Sequence, residues 1–136
     1  MKQKDKDLLL LDLCSRLPYE VKIQYEDNIF TIDYISAMYE EIKLNTPNKY
    51  TIDVLEVKPY LFPLSSMTEE QKKESPFESS LLNAFINGYI SLFEDEELAI
   101  GDVVRMLEWL NKNHFDYRCL IEKSLALDAT NLGIYE

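Results

Sequence analysis

The sequence predicts an α+β fold: a small antiparallel sheet of three to four strands packed against an N-terminal helix and C-terminal helices. Three observations carry this expectation. A leucine-rich segment opens the chain, residues 19 to 25 alternate apolar and polar side chains before a turn and a β-prone run at 29 to 35, and the apolar residues after position 66 recur at helical spacing. With 136 residues, 46% of them hydrophobic and 12% aromatic, the chain has the size of one domain, 1–136, and the apolar content for a core.

Leu8, Leu9, Leu11, Leu13 and Leu17 stand among Asp5, Asp7 and Asp12, and Pro18 acts as a stop. A helix from Asp5 to Arg16 follows, with leucines dense enough to meet neighbours on more than one side. Tyr19 to Tyr25 alternates with period two, Glu26-Asp27-Asn28 supplies turn chemistry, and Ile29 to Ile35 resumes in β-prone residues. That is a hairpin. Residues 36 to 46, with Met38, Tyr39 and Ile42, fit a short helix or a strand equally. Thr46-Pro47-Asn48 turns the chain into a third strand, Tyr50 to Val57.

Pro59 and Pro63 are expected to end that strand and impose an extended crossing. Thr68 and Gln71 have the spacing of a capping box, which opens a short helix. Ser75-Pro76-Phe77-Glu78 repeats the device for a helix carrying Leu82, Phe85, Ile86, Tyr89 and Phe93. Carboxylates oppose the dipole at a helix C-terminus, so Glu94 to Glu97 place its end near Phe93. Asp102 to Asn113 makes a further helix on Val103, Leu107 and Leu110. A short last helix follows Asp116, with Leu120, Ile121 and Leu125 as its apolar face.

Charge narrows the partners. The net charge is −11, and residues 67–136 hold 6 basic and 14 acidic side chains against 8 and 11 before them. Phosphate backbones and anionic lipid both require clustered Lys and Arg, so direct nucleic-acid binding and membrane binding are disfavoured. A protein partner with a neutral or basic surface is favoured. Cys14 and Cys119 are the two cysteines, and no apolar run has the length of a secretory signal or a membrane span. Reduced thiols in a cytoplasmic protein are the expectation.

Known chemistries find little purchase. Gly88, Gly101 and Gly133 are too scattered for a phosphate-binding loop, and His114 is the single histidine. It is expected to serve as a helix C-terminal residue against the last carbonyls. Cys14 reads as a small hydrophobe inside the leucine helix. Cys119, placed in the first turn of a helix beside Arg118 and five residues from His114, has the setting that lowers a thiol pKa, yet no orienting partner accompanies it. Packing is the expectation for both cysteines. Tyr60 and Phe62, between two prolines, would either line a peptide groove or, as expected, plug the core. No catalytic residue, cofactor site or metal site is assigned. Glu94, Asp95, Glu96 and Glu97 form the candidate interaction surface, set against the plainer role of a solvated acidic loop.

Two blocks, Lys58–Glu74 (KPYLFPLSSMTEEQKKE) and Trp109–Ala129 (WLNKNHFDYRCLIEKSLALDA), together with Arg-Leu-Pro-Tyr at 16–19, resemble small uncharacterised proteins carried by gut bacteria and their phages. The blocks cover a little over a quarter of the chain. The resemblance implies a mobile-element origin and names no reaction. At Cys119 and Ser124 the resembling proteins more often have glycine, and residues 75 to 100 depart from their variable polar stretch. In the shared blocks Trp109, Leu110, Phe115, Tyr117, Leu120 and Ile121 are expected to clamp the C-terminal helices onto the proline crossing. The expected function is non-enzymatic, through protein–protein interaction, as an acidic antagonist of a basic or nucleic-acid-binding surface. Its rivals are an assembly component of a phage and a small enzyme using Cys119 with His114 or a carboxylate-bound cation.

Overall fold

The computed structural model describes residues 2–89, 91 and 100–136. Helix α1 (Lys2–Arg16) buries Leu9, Asp12, Leu13 and Arg16, which are three or four apart and so share a face. Leu8 and Leu10 flank that stripe, but Leu11 is 57% exposed, so the helix is not enclosed on all sides. A 3-10 turn at Leu17–Tyr19 follows, and Glu20, at φ 56°, redirects the chain.

The expected hairpin forms in shortened form, because Tyr19 belongs to that turn. Strands β1 (Ile23–Tyr25) and β2 (Asn28–Phe30) pair antiparallel. Glu26 and Asp27, at φ 48° and 65°, make the two-residue left-handed turn that matches strand twist. The run from Ile29 to Ile35 divides at Thr31. Its second part, β3 (Ile32–Ser36), leaves for another sheet and pairs with β4 (Glu41–Leu44), which pairs with β5 (Ile52–Asp53). Residues 36 to 46 are thus a turn followed by a strand. The third expected strand stops at Asp53, whose carboxylate accepts from the Leu55 N–H and caps a 3-10 turn at Val54–Glu56.

The proline crossing is a strand. β6 (Lys58–Pro63) pairs antiparallel with β1 and parallel with β7 (Phe115–Asp116) and β8 (Leu127–Asp128), giving a five-stranded mixed sheet beside the three-stranded one. The N–H groups of Tyr60 and Phe62 donate to Lys22 O and His114 O at 2.9 and 2.8 Å. Pro59 and Pro63 fall in the alternate set, so their missing N–H groups remove none of these bonds.

Thr68 and Gln71 make both bonds of the capping box at the start of α2 (Glu69–Glu74). The second device behaves differently. Ser75 Oγ accepts from the Phe77 N–H in a local turn, and α3 (Ser79–Ile86) starts only after Glu78. It ends at Ile86, before Tyr89, which is 83% exposed; Phe93 lies outside the described residues. α4 (Ile100–Lys112) has the expected span within two residues at either end. The helix expected after Asp116 is a single turn. Among the described residues no helix is long and apolar enough to cross a membrane.

Among the described residues two apolar clusters form. One joins α1 to β1, β4, β5 and β6 through Leu9, Leu13, Ile23, Ile42, Ile52 and Leu61. The other joins α3, α4 and β7 through Phe77, Leu82, Phe85, Met106, Leu110 and Phe115. Phe115 meets Trp109 and Phe62 with ring centroids 5.6 and 6.2 Å apart. The expected aromatic clamp therefore exists around Phe115, whereas Leu120 and Ile121 pack into the first cluster.

The two halves are tied by charge. The Arg16 guanidinium donates to Asp12 through Nε (2.9 Å) and Nη2 (3.1 Å), and Nη2 also donates to Phe115 O (2.7 Å). Arg118 Nη1 donates to the same carboxylate at 2.8 Å. Asp12 and Arg16 are fully buried. Asp12→Ala leaves Arg16 without its counterion and is expected to cost about 3–5 kcal/mol in urea unfolding, whereas Asp12→Leu combined with Arg16→Met recovers at least half of that loss.

Candidate functional site

The acidic run Glu94, Asp95, Glu96 and Glu97 lies outside the described residues, so the side chains to consider are those on either side of it in the chain. Among the described residues no group of three or more His, Cys, Asp or Glu is placed to hold a metal ion.

Cys119 does not have the setting its sequence position suggested. Asp116 caps the turn that follows, accepting from the N–H groups of Leu120 and Ile121 at 3.0 and 2.9 Å. Yet Cys119 itself is at φ 60°, and Ser124 at φ 61° closes the turn five residues later. These left-handed residues stop a helix from forming, which removes the dipole that would have lowered the thiol pKa. Burial, then the Glu122 and Asp116 carboxylates, push the thiol up instead. Cys14 is also exposed, against its expected burial, and partial desolvation raises its pKa too. Left-handed backbone is the physical condition that favours glycine. Cys119→Gly is expected to raise stability by about 0.5 kcal/mol, since roughly 1–2 kcal/mol of strain outweighs up to about 1 of added chain entropy; Cys119→Val should lower it in the same melts.

His114 is brought to a different place. Its N–H donates to Asn111 O, and its φ of 63° turns the chain from α4 into β7. The backbone therefore finishes the helix, as expected of this position, while the imidazole turns to Tyr135. The two rings stack with centroids 3.8 Å apart and 12° between planes. Tyr135 donates its hydroxyl to Tyr60 O (2.7 Å) and accepts from the Lys22 N–H (3.0 Å), fastening the segment after β8 across β1 and β6. Tyr60 is buried, and Phe62 packs with the second cluster and on the Tyr135 ring, so this pair plugs the core. His114 and Tyr135 line an open cleft of about 1020 Å³ with Glu20, Lys22 and Lys112, whereas Cys119 lines a separate one of about 420 Å³ beside Tyr117. The structure does not assemble the thiol and the imidazole into a pair.

Burial, followed by the Arg16 and Lys22 charges, lowers the His114 pKa from 6.5 to about 4. The unfolded chain then binds a proton at His114 that the folded one refuses. Stability conferred by this group is complete above pH 6.5 and is lost as pH falls towards 4. The loss is expected to be about 2 kcal/mol after allowance for solvent screening. His114→Gln should remove that part of the acid limb, read as the difference between wild-type and variant unfolding curves from pH 7 to pH 4.

Two surfaces remain on the sheet half. The turn between β3 and β4 presents Met38 (83% exposed) and Tyr39 (71%), with Tyr34 (47%) two residues before the end of β3. The Tyr39 N–H donates to Ser36 Oγ, and Gln3 on α1 donates to Glu40, so the tip is held by its neighbours. Glu40 and Glu41 adjoin the tip, Glu41 opposite Ser36 in the β3–β4 register. The second surface is a smaller notch between the β1–β2 hairpin and the approach to β5, lined by Tyr25, Phe30 and Tyr50. Sequence reading raised Met38 and Tyr39 only as residues fitting a short helix or a strand, and did not single out Tyr135 or the notch. Comparison with protein-family models, with curated proteins and with solved structures gives no match to this chain.

Proposed function

We propose that the protein is a non-enzymatic factor of a phage or mobile element that acts by binding a protein partner, as an acidic antagonist of a basic or nucleic-acid-binding surface. The observation that carries this reading is the pair Met38 and Tyr39, adjacent and more than two-thirds exposed on a braced hairpin tip. A tyrosine offers large contact area at modest ordering cost, a methionine adapts its shape to a partner, and both residue types are enriched at interfaces. The carboxylates around the tip, and the net charge of −11, set the sign of the partner: attraction to a basic surface speeds encounter and repels acidic competitors. The mobile-element origin rests on the resemblance of the two sequence blocks.

The test is affinity capture with chemical cross-linking in lysate of the source cells. Wild-type protein is expected to recover one partner, whose yield falls steeply as salt rises to about 0.5 M. Met38→Ser with Tyr39→Ser should reduce recovery at least tenfold with an unchanged circular dichroism spectrum. Glu94→Lys with Glu96→Lys and Glu97→Lys should do the same if the acidic run shares the contact. Undiminished recovery in both variants and at high salt overturns the proposal.

A further inference from the structure

The register of the first hairpin places two aromatic rings on one face. Ile23 lies opposite Phe30 and Tyr25 opposite Asn28, so Tyr25 and Phe30 are diagonal neighbours, their ring centroids 6.4 Å apart. Tyr50 closes the third side. It is 64% exposed, and Asn48 Nδ2 donates to its hydroxyl at 3.2 Å. The enclosed notch has a volume of about 150 Å³. That is the space of about five liquid waters, enough for a guanidinium and its last methylene groups.

Among the described residues of the wall the one charged side chain is Glu26, while exposed Lys49 stands in the chain between wall residues Asn48 and Tyr50. Glu26, in the hairpin turn, is part of its wall, and burial together with the Glu26 and Glu56 carboxylates raises the pKa of Tyr25. No lysine or arginine is among the described residues of the wall. The ammonium of Lys43 is directed to the carbonyls of Leu44 and Thr46, at 2.5 and 3.0 Å. Three aromatic rings with the Glu26 and Glu56 carboxylates nearby attract a cation through the ring quadrupoles and by direct charge. A flat guanidinium can stack on a ring while its N–H groups reach a carboxylate, which a compact ammonium does less well.

We propose that this notch binds the side chain of an arginine presented by the partner protein. The source of the arginine rests on the partner-binding reading above; the affinity of the notch for a guanidinium does not. The test is an NMR titration of the whole chain with N-acetyl-arginine methylamide, with the citrulline analogue as neutral isostere and the lysine analogue as the rival cation. The arginine compound is expected to shift the ring resonances of Tyr25, Phe30 and Tyr50 saturably, at millimolar concentration. Citrulline should bind at least about fivefold more weakly, and Tyr50→Ala or Glu26→Gln should each weaken arginine by about the same factor. Met38→Ser with Tyr39→Ser should leave the titration unchanged. Tyr50 is largely exposed, so its variant is expected to keep the fold, checked by circular dichroism. Equal binding of citrulline, tighter binding of lysine, or no saturation by about 50 mM overturns the proposal. Failure here with partner capture intact removes the notch alone, whereas arginine binding without a captured partner supports the notch and removes the wider reading.

Discussion

Asp12 carries a single negative charge between two guanidiniums, and through them it holds the first helix to a strand and a turn a hundred residues away in sequence. Arg16 spans from that carboxylate to the carbonyl of Phe115, and Arg118 donates to the same carboxylate. Both guanidiniums also lie over the Tyr117 ring, Arg16 at 5.2 Å and Arg118 at 4.6 Å from its centroid, and the Tyr117 hydroxyl donates to Asn111. Removing these charges from water is costly, and the attraction between them offsets the cost only because nearly every donor finds an acceptor. Arg16 Nη1 is the exception: it is buried without a hydrogen bond among the described residues, as is His114 Nδ1. The cluster thus gives position more than stability. It fixes Phe115, whose neighbour His114 offers its carbonyl to β6.

β6 is the element on which both apolar clusters converge. Leu61 is fully buried in the first, and Phe62, next along the strand, packs in the second. Alternation sends neighbouring side chains to opposite faces, so one strand serves two cores. Its hydrogen bonds join β1 near its beginning and β7 near its end, while Ala129, just after β8, donates to Leu61 O on the other edge. The chain after α4 is irregular for this reason. β7 and β8 are two residues long, and their backbone groups are satisfied by a strand fifty to seventy positions earlier rather than by their own neighbours.

The two surfaces proposed for a partner sit away from this framework, on the sheet half. There Tyr34, Tyr39 and Tyr50 are exposed, whereas Trp109 and Phe62 pack on Phe115. His114 belongs with the packing. Its imidazole is stacked, desolvated and held neutral, which suits a structural ring better than a proton-transfer group at neutral pH.

Local chemistry by itself determined the α+β class, α1, the Thr68 capping box, α4 and the Glu26–Asp27 hairpin, because each depends on residues within a few positions of one another. It misjudged elements whose partners are remote. Lys58 to Pro63 reads as a crossing on account of its prolines, and only β1, β7 and β8 along its edges show that the missing N–H groups are not needed. The turn after Asp116 has a helix cap and helical spacing, but the left-handed backbone at Cys119 and Ser124 ends it after one turn. Neither cysteine nor serine announces that conformation. Tyr135 carries no pattern at all, since its ring and hydroxyl meet His114, Lys22 and Tyr60 only once β8 lies beside β6. The tertiary structure decided these features because backbone hydrogen bonds and buried charges are satisfied across space, while sequence periodicity records only which side of its own element a residue faces.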